Sequence, residues 1–360
     1  MRSRSLSLFA SLVLAVAFLA PGRGAAQPAD CHSAHTSSAD AHSADDPVAH
    51  APATEGRRAK AASRAQLGRV SMVNSGAPEA QEAFLAGLAA LHSFFYDEAA
   101  DLFREAQEAD PDFALAYWGE ALTYDHPLWD QQDTEAARAA LARLAPTREE
   151  RAAKAGTERE RAFLETVEAL YGEGDRDERH LAYSEALREL METYPDDHEA
   201  VSLYALSLQG LQDRTAMDMR MQMESAAILE EVFEENPLHP GAAHYLIHAY
   251  DDPVHAPLGL RAARVYAEIA PAAHHALHMP SHIFVQMGMW DEAAHMNERA
   301  WQASVDWVER RGHSKTKQDF HSLGWLHYIY LQQGRIADAE STIDTALAVA
   351  EEEPSEWMSV

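Results

Sequence analysis

Apolar residues recur at the spacing of a helix from residue 78 almost to the end of the chain. They fall in segments of roughly 10–15 residues, separated by turn signals at Gly210, Pro240, Gly288 and Gly334. A spacing of three and four residues places apolar side chains on one face of a helix, whereas a half-buried strand requires strict alternation, which is scarce here. The pattern therefore predicts short amphipathic helices joined by tight turns.

The helices are predicted to form a repeat of 34 residues. Residues 80–113 place Gly87 at position 8 and Pro111 at position 32 of such a unit. Residues 274–307 and 320–353 both place Gly at position 15 and Ala at positions 20 and 27. Small residues let the two helices of a pair approach closely, and one pair alone cannot bury its apolar face. The expected fold is all-α, a superhelix of stacked antiparallel helix pairs.

This pattern resembles the tetratricopeptide repeat (TPR). The chain is similar to a divergent group of exported bacterial TPR proteins through Ala-Tyr-Trp-Gly-Glu-Ala at 116–121, His-Pro-Gly-Ala-Ala-His-Tyr-Leu-Ile-His-Ala at 239–249 and His-Met-Pro-Ser-His-Ile at 278–283. The resemblance implies a TPR-like α-solenoid whose first helices line a concave groove. A groove of this kind implies a protein or peptide as partner, but the resemblance implies no particular reaction.

The N-terminus predicts export. Residues 1–26 read as a signal peptide, because Arg2 precedes an uncharged apolar run at 6–20 and small residues follow at 24–26. The run is shorter than the roughly 20 residues that a membrane span requires. We therefore expect a periplasmic or secreted protein that does not span a membrane after cleavage.

Composition divides the remainder of the chain into two parts. Residues 27–77 are rich in Ala, Ser, Asp and His without apolar periodicity, which predicts a disordered linker, and residues 78–360 form the predicted repeat domain. Cys31 is the single cysteine, so an intrachain disulfide is excluded. The net charge of −29 repels polyanions, and nucleic acid is therefore not an expected partner.

Histidines supply the candidate chemistry. His244 and His248 are four residues apart, as are His278 and His282, and the second pair follows the first by 34 residues. Residues i and i+4 share one helix face, so both pairs occupy positions 5 and 9 of consecutive first helices, which face the groove. We expect the four rings to share a divalent ion. Zinc and copper both accept nitrogen ligands.

Neighbouring residues extend this candidate site. Asp251 is predicted to add an oxygen ligand or to orient an imidazole ring. His321 and His327 lie on the next first helix and are positioned to close the site. The alternative is that each histidine is a core or surface residue with an ordinary hydrogen bond, and that the motif recurs by duplication alone.

Four more residues are candidate groove contacts. An irregular insertion at 125–130 interrupts the repeat and carries two of them, and it is expected either to overhang the groove or to fill the superhelix. The predicted groove and ligand-binding residues are Trp118, His126, Trp129 and Tyr328.

Three functions follow from these patterns. The first is an exported helical-repeat scaffold whose groove carries a histidine-lined metal site. The second is a metal-free module that binds a protein or peptide, and the third is a metal-dependent enzyme in which the ion activates water. The sequence has no Gly-rich phosphate loop, no Gly-x-Ser-x-Gly and no His-Glu-x-x-His, so it names no reaction.

Overall fold

The computed structural model describes residues 64, 66–212 and 218–353, and the predicted signal peptide lies outside them. Within this part of the chain, no helix combines the length and the apolar composition needed to cross a membrane. Its α-helices are α1 Pro78–His92, α2 Tyr96–Ala109, α3 Ala114–Leu122, α4 Thr134–Leu144, α5 Arg148–Ala152, α6 Glu158–Leu170, α7 Arg176–Thr193, α8 His198–Gly210, α9 Arg220–Glu235, α10 Pro240–Ala249, α11 Ala256–Ile269, α12 His274–His278, α13 Pro280–Gln286, α14 Trp290–Arg311, α15 Phe320–Gln332 and α16 Ile336–Glu352.

Consecutive helices pack as pairs. The pairs are α1 with α2, α3 with α4, α6 with α7, α8 with α9, α10 with α11 and α15 with α16, while α12 and α13 together pack on α14. Each pair buries the apolar stripe that its helices carry, as the sequence pattern requires. The prediction of an all-α, TPR-like repeat of antiparallel helix pairs is confirmed.

Close packing between neighbouring pairs depends on small residues around one aromatic ring. Phe103 in α2 is fully buried. A Cβ atom added at Gly87 would lie 3.0 Å from Cδ1 of Phe103, and one added at Gly119 would lie only 2.4 Å from its Cε1 and Cζ. The ring therefore occupies the space that side chains at both glycines would need.

We expect Gly119→Ala to lower the free energy of unfolding by roughly 1–3 kcal/mol, because the added methyl group overpacks a buried ring. Gly324→Ala is the matched control, since a Cβ atom there meets nothing within 4 Å. This control is expected to raise stability by up to about 1 kcal/mol through helix propensity. Urea denaturation of both variants measures the difference, and equal effects would contradict the packing argument.

The predicted insertion is a small hairpin between α3 and α4. Strands β1 (Asp125–His126) and β2 (Gln131–Gln132) pair antiparallel on either side of a 3₁₀ turn, Pro127–Trp129. Asp130 closes the turn with a left-handed φ of 56°. The hairpin therefore presents Trp129 at its tip.

Some helices that are distant in the chain also pack together. Helix α1 contacts α10. The indole N–H of Trp307 donates to Glu98 at 3.4 Å, and Lys317 pairs with Asp97 at 2.7 Å, so the α2 surface meets α14 and the turn after it. The sequence predicted a simple stack, in which each repeat contacts its neighbours. The additional contacts bring the end of α1 against the histidines of α10.

Residues 66–77 lie against the helices, although the sequence predicted them as the end of a disordered linker. Leu67 and Met72 are buried. The Arg69 N–H donates to the carbonyl of Leu238 at 3.1 Å, and the Ser75 hydroxyl donates to Glu160 at 2.7 Å. A few buried apolar side chains and long-range hydrogen bonds order a segment that has no periodicity of its own.

Candidate metal centre

Three histidines meet in what we call the first triad. His244 and His248 lie on one face of α10, and His275 lies in α12. The Nε2 atom of His244 is 3.1 Å from that of His248 and 3.2 Å from that of His275. One ligand atom from each ring falls within 4.8 Å of the others, a spacing that would suit a single ion.

His278, His282 and His321 form the second triad. The Nε2 atoms of His278 and His282 are 3.0 Å apart, and the three ligand atoms again lie within 4.8 Å. Met279 has helical angles (φ −53°, ψ −38°), so the backbone continues from α12 into α13. The first two rings therefore keep their i, i+4 relation despite the proline between them.

The two triads follow one rule. Each combines positions 5 and 9 of one repeat with position 2 of the next. For the first triad position 2 is His275, and for the second it is His321. The 34-residue offset relates the two pairs, whereas His321 follows His275 by 46 residues, because residues 308–319 separate the two later repeats.

The four predicted ligands lie close together, but they do not converge on one point. The ring centroids of His248 and His282 are 6.1 Å apart, and each belongs to a different triad. His321 joins the second triad as expected. His327 points elsewhere, because its Nδ1 bonds the carbonyl of Ala339 at 3.0 Å. Sequence reasoning did not single out His275, although its position 2 recurs in His321.

Hydrogen bonds fix the tautomers of two rings of the second triad. The His282 Nδ1–H donates to Asp251 Oδ2 at 2.7 Å, and the His278 Nδ1–H donates to Asn297 Oδ1 at 2.6 Å. The Asn297 amide nitrogen donates to the carbonyl of Ala293, which leaves its oxygen facing His278. In the neutral rings both Nε2 atoms therefore carry lone pairs. These lone pairs face each other at 3.0 Å, so a proton or a metal ion must lie between them.

In the first triad, a hydrogen bond fixes the tautomer of one ring. The His244 Nδ1–H donates to the carbonyl oxygen of His92 at 2.7 Å, so its Nε2 atom carries a lone pair. Two further Nε2 atoms, of His248 and His275, contact this atom. One lone pair accepts one N–H well, whereas a metal ion would satisfy all three nitrogens.

Burial keeps several of these rings neutral. It lowers the pKa of His244 to about 3, and it holds the pKa of His275 and of His278 well below the usual value. Burial raises the pKa of Asp251, but His282 beside it outweighs this effect, and the net pKa is lowered. The neutral imidazole is the form that binds metals, and Asp251 is the ionised partner that orients one of them.

A third cluster, His92, Glu199 and His239, is complete without an ion. The Ala242 N–H donates to His239 Nδ1, so His239 donates from Nε2 to Glu199 at 3.2 Å. The Tyr245 hydroxyl donates to His92 Nδ1, and His92 Nε2–H donates to Glu199 at 2.6 Å. Burial raises the pKa of Glu199, but the two histidines outweigh it and hold this pKa well below its usual range. This network positions His92, whose carbonyl orients His244.

One aromatic ring covers each triad. Phe94 lies 4.4–5.8 Å from the three rings of the first triad, and Trp325 lies 4.3–6.0 Å from those of the second, measured between ring centroids. Phe94 has a left-handed φ of 51° at position 15, where Gly288 and Gly334 stand in later repeats. A left-handed non-glycine residue costs roughly 1–2 kcal/mol. Its packing against three imidazoles offsets this cost.

A cavity of ≈ 710 Å³ opens onto both triads. Two imidazoles from each triad line it, those of His248, His275, His282 and His321, and His255 lines it as well. His244 and His278 are fully buried and do not line it. Trp129, which is 38% exposed, also lines it, and its ring lies 5.7 Å from His275. The hairpin therefore overhangs the candidate centre, one of the two alternatives expected for the insertion.

The other predicted groove residues lie apart from this cavity. Trp118 is fully buried and its indole N–H donates to Thr166, so it belongs to the core and does not fit the predicted groove contact. His126 stacks on Tyr96 at 3.9 Å and lines a separate cavity of ≈ 590 Å³. Tyr328 is 40% exposed and packs against Trp290. Their positions in the sequence did not show which of them belongs to the core, to another cavity or to the surface.

Comparison with known proteins adds little. No protein-family model and no curated protein matches the chain. A solved structure of a human IFIT1 dimer with PPP-AAAA matches with a TM-score of 0.37 and 14% identity, covering 75% of this chain and 73% of that one. Yeast Tom70 matches with a TM-score of 0.36 and 10% identity, covering 77% and 63%.

These two likenesses are too slight to support any conclusion about fold or function. The 34-residue repeat and the packed helix pairs are properties of the chain itself. The protein is a TPR-like helical-repeat protein. Its membership of an exported bacterial group stays a prediction.

Proposed function

We propose that this helical-repeat protein binds two metal ions, zinc or copper, one in each histidine triad. The observation that carries the proposal is the 3.0 Å distance between the Nε2 atoms of His278 and His282, both of which carry lone pairs. Without an ion, this contact requires a second proton on one of the two rings, and a charge there is costly among other imidazoles. A divalent cation satisfies His278, His282 and His321 together.

The nitrogen spacing supports the same conclusion. Nitrogen ligands at roughly 2.0–2.1 Å from a tetrahedral ion lie roughly 3.3 Å from one another. Three of the nitrogen separations, at 3.0–3.2 Å, are within a few tenths of an ångström of that value, and all ligand atoms of each triad lie within 4.8 Å of one another. Small shifts of the rings would therefore admit an ion without rebuilding the helices.

The ligand set favours zinc or copper. Each triad offers three imidazole nitrogens and neither a thiolate nor a thioether. Asp251 bonds the far nitrogen of His282 and serves as its orienting partner. Three protein ligands leave a coordination position open, as in catalytic rather than structural zinc sites. An enzymatic role would use this open position for water or substrate.

Metal analysis of untagged protein tests the proposal. We expect two equivalents of zinc or copper(II) per chain after equilibrium dialysis. His248→Ala and His321→Ala should each reduce this to one tightly bound equivalent, because each removes a ligand from one triad. His327→Ala is the matched control and should retain two. Less than a tenth of an equivalent in the unsubstituted protein would instead favour a metal-free interaction module.

A further inference from the structure

We propose that the two ions form one dinuclear centre that binds a small carboxylate across both metals. This inference rests on the proposed function, and it adds the ligand class. It depends on the distance between the triads, on the charge around them and on the cavity that they share.

The triads are neighbours through two pairs of rings. His248 and His282, both at position 9 of their repeats, have ring centroids 6.1 Å apart. His275 of the first triad and His278 of the second are also separated by 6.1 Å. Because rings of the two triads approach to 6.1 Å at both places, we expect the two ions about 6 Å apart.

That separation selects the bridging group. Single-atom bridges occur between ions roughly 3.5–4 Å apart, which is too short here. Metal–oxygen bonds of roughly 2.0–2.2 Å at each end leave a gap of about 2 Å, which is close to the distance between the two oxygens of one carboxylate. A two-ended anion therefore fits, with one oxygen on each ion.

The charge in the cavity favours an anion. Two divalent ions held by six neutral imidazoles carry a positive charge that a buried site must compensate. The carboxylates that line the cavity are those of Asp251 and Asp252. The first is bonded to His282 and the second to His255, each at 2.7 Å. An external anion would supply the remaining compensation.

The cavity gives that anion access. Four of the six candidate ligands line it, two from each triad, whereas the fully buried His244 and His278 lie on the protein side. An anion entering the cavity would therefore meet the open face of both ions. Trp129, which is partly exposed, lines the same cavity.

One lining residue indicates a further feature of the ligand. Gln222 is 7% exposed, and its Oε1 atom has no hydrogen-bond partner among the described residues. It lines the same cavity. A buried acceptor without a donor is unfavourable. A carboxylate that also carries an O–H or N–H group would satisfy it.

Copper(II)-loaded protein and azide, a two-ended anion that serves as a spectroscopic probe, test the dinuclear centre. We expect two coupled copper ions with a half-field electron paramagnetic resonance signal. One azide per chain should bind, weaken the spectrum by coupling the spins, and be displaced by acetate. His321→Ala, at an exposed position, should leave one copper with a single-ion spectrum and at least tenfold weaker azide binding. His327→Ala should behave as the unsubstituted protein.

The matched acids glycolate and acetate test the role of Gln222. We expect glycolate to displace azide more effectively, and Gln222→Leu to reduce that preference about twofold to twelvefold, the range for a hydrogen bond worth about 0.5–1.5 kcal/mol. A preference that is unchanged in Gln222→Leu would remove the hydrogen-bond donor from the proposed ligand.

The outcomes separate the two proposals. Two bound coppers with independent spectra and two azides per chain would overturn the dinuclear centre and leave the proposed function standing. Absence of bound copper would overturn both. Circular dichroism and the melting temperature of metal-free His321→Ala show whether its fold is intact, and the less disruptive His282→Gln provides a second variant of the same triad.

Discussion

Saturation with zinc is expected to raise the free energy of unfolding by about 8 kcal/mol relative to the metal-free protein. An ion that binds only the folded chain stabilises it by about 4 kcal/mol when free metal is a thousandfold above Kd, and there are two sites. The triads exist only when α10, α12, α13 and α15 are packed, so the unfolded chain lacks both sites. Urea denaturation with and without zinc measures the increment.

Substituting one ligand histidine should remove part of the stabilisation by zinc. His248→Ala or His321→Ala is expected to lose about half of it, roughly 4 kcal/mol, because one triad stays complete. His327→Ala should lose none, since its ring bonds Ala339 and Thr342 instead. An equal zinc increment in a variant that lacks both His248 and His321 would show that the ions bind elsewhere.

Acidification is expected to destabilise the metal-free protein strongly between pH 6.5 and 4. The folded pKa of His244 is about 3, against an ordinary value of 6.5. Between these values the unfolded chain binds a proton that the folded chain does not, so the free energy of unfolding falls as pH falls. The slope is roughly 1.4 kcal/mol per pH unit for each such histidine. His275 and His278 have pKa shifts in the same direction.

Two observations check this pH dependence. Urea denaturation of the metal-free protein at pH 7, 6 and 5 should show stability falling throughout, with Glu199 adding its own loss only at lower pH, because its lowered pKa starts from 4.5. His244→Gln should reduce the slope of the free energy of unfolding between pH 6 and 5 by roughly 1.4 kcal/mol per pH unit, the contribution of one proton. A slope equal to that of the unsubstituted protein would mean that His244 is not buried in its neutral form.

The helical repeat was open to prediction because its cause is local. Glycine at position 15 and alanine at positions 20 and 27 recur along the chain, and small residues at those positions serve the packing within and between pairs. The sequence predicted the hairpin only as an irregular insertion that interrupts the repeat. Residues 66–77 were assigned to a disordered linker because the buried Leu67 and Met72 show no period.

The candidate centre was predictable in part for the same reason. A separation of four residues places His244 beside His248 on one helix, and the 34-residue offset places the next pair one repeat away. The sequence predicted that four rings share a single ion, but the rings form two groups of three. His275 belongs to the first triad through packing between repeats, which the spacing within one helix does not report.

Local periodicity, acting through the geometry of the α-helix, thus determined the fold class and the face on which four histidines stand. Only the tertiary structure decided which rings meet and which nitrogen of each carries its proton. The carbonyl of His92 comes from a helix about 150 residues earlier, and the amide of Asn297 comes from the partner helix α14. Contacts of this kind depend on how helix pairs close against one another, and no repeat in the sequence encodes them.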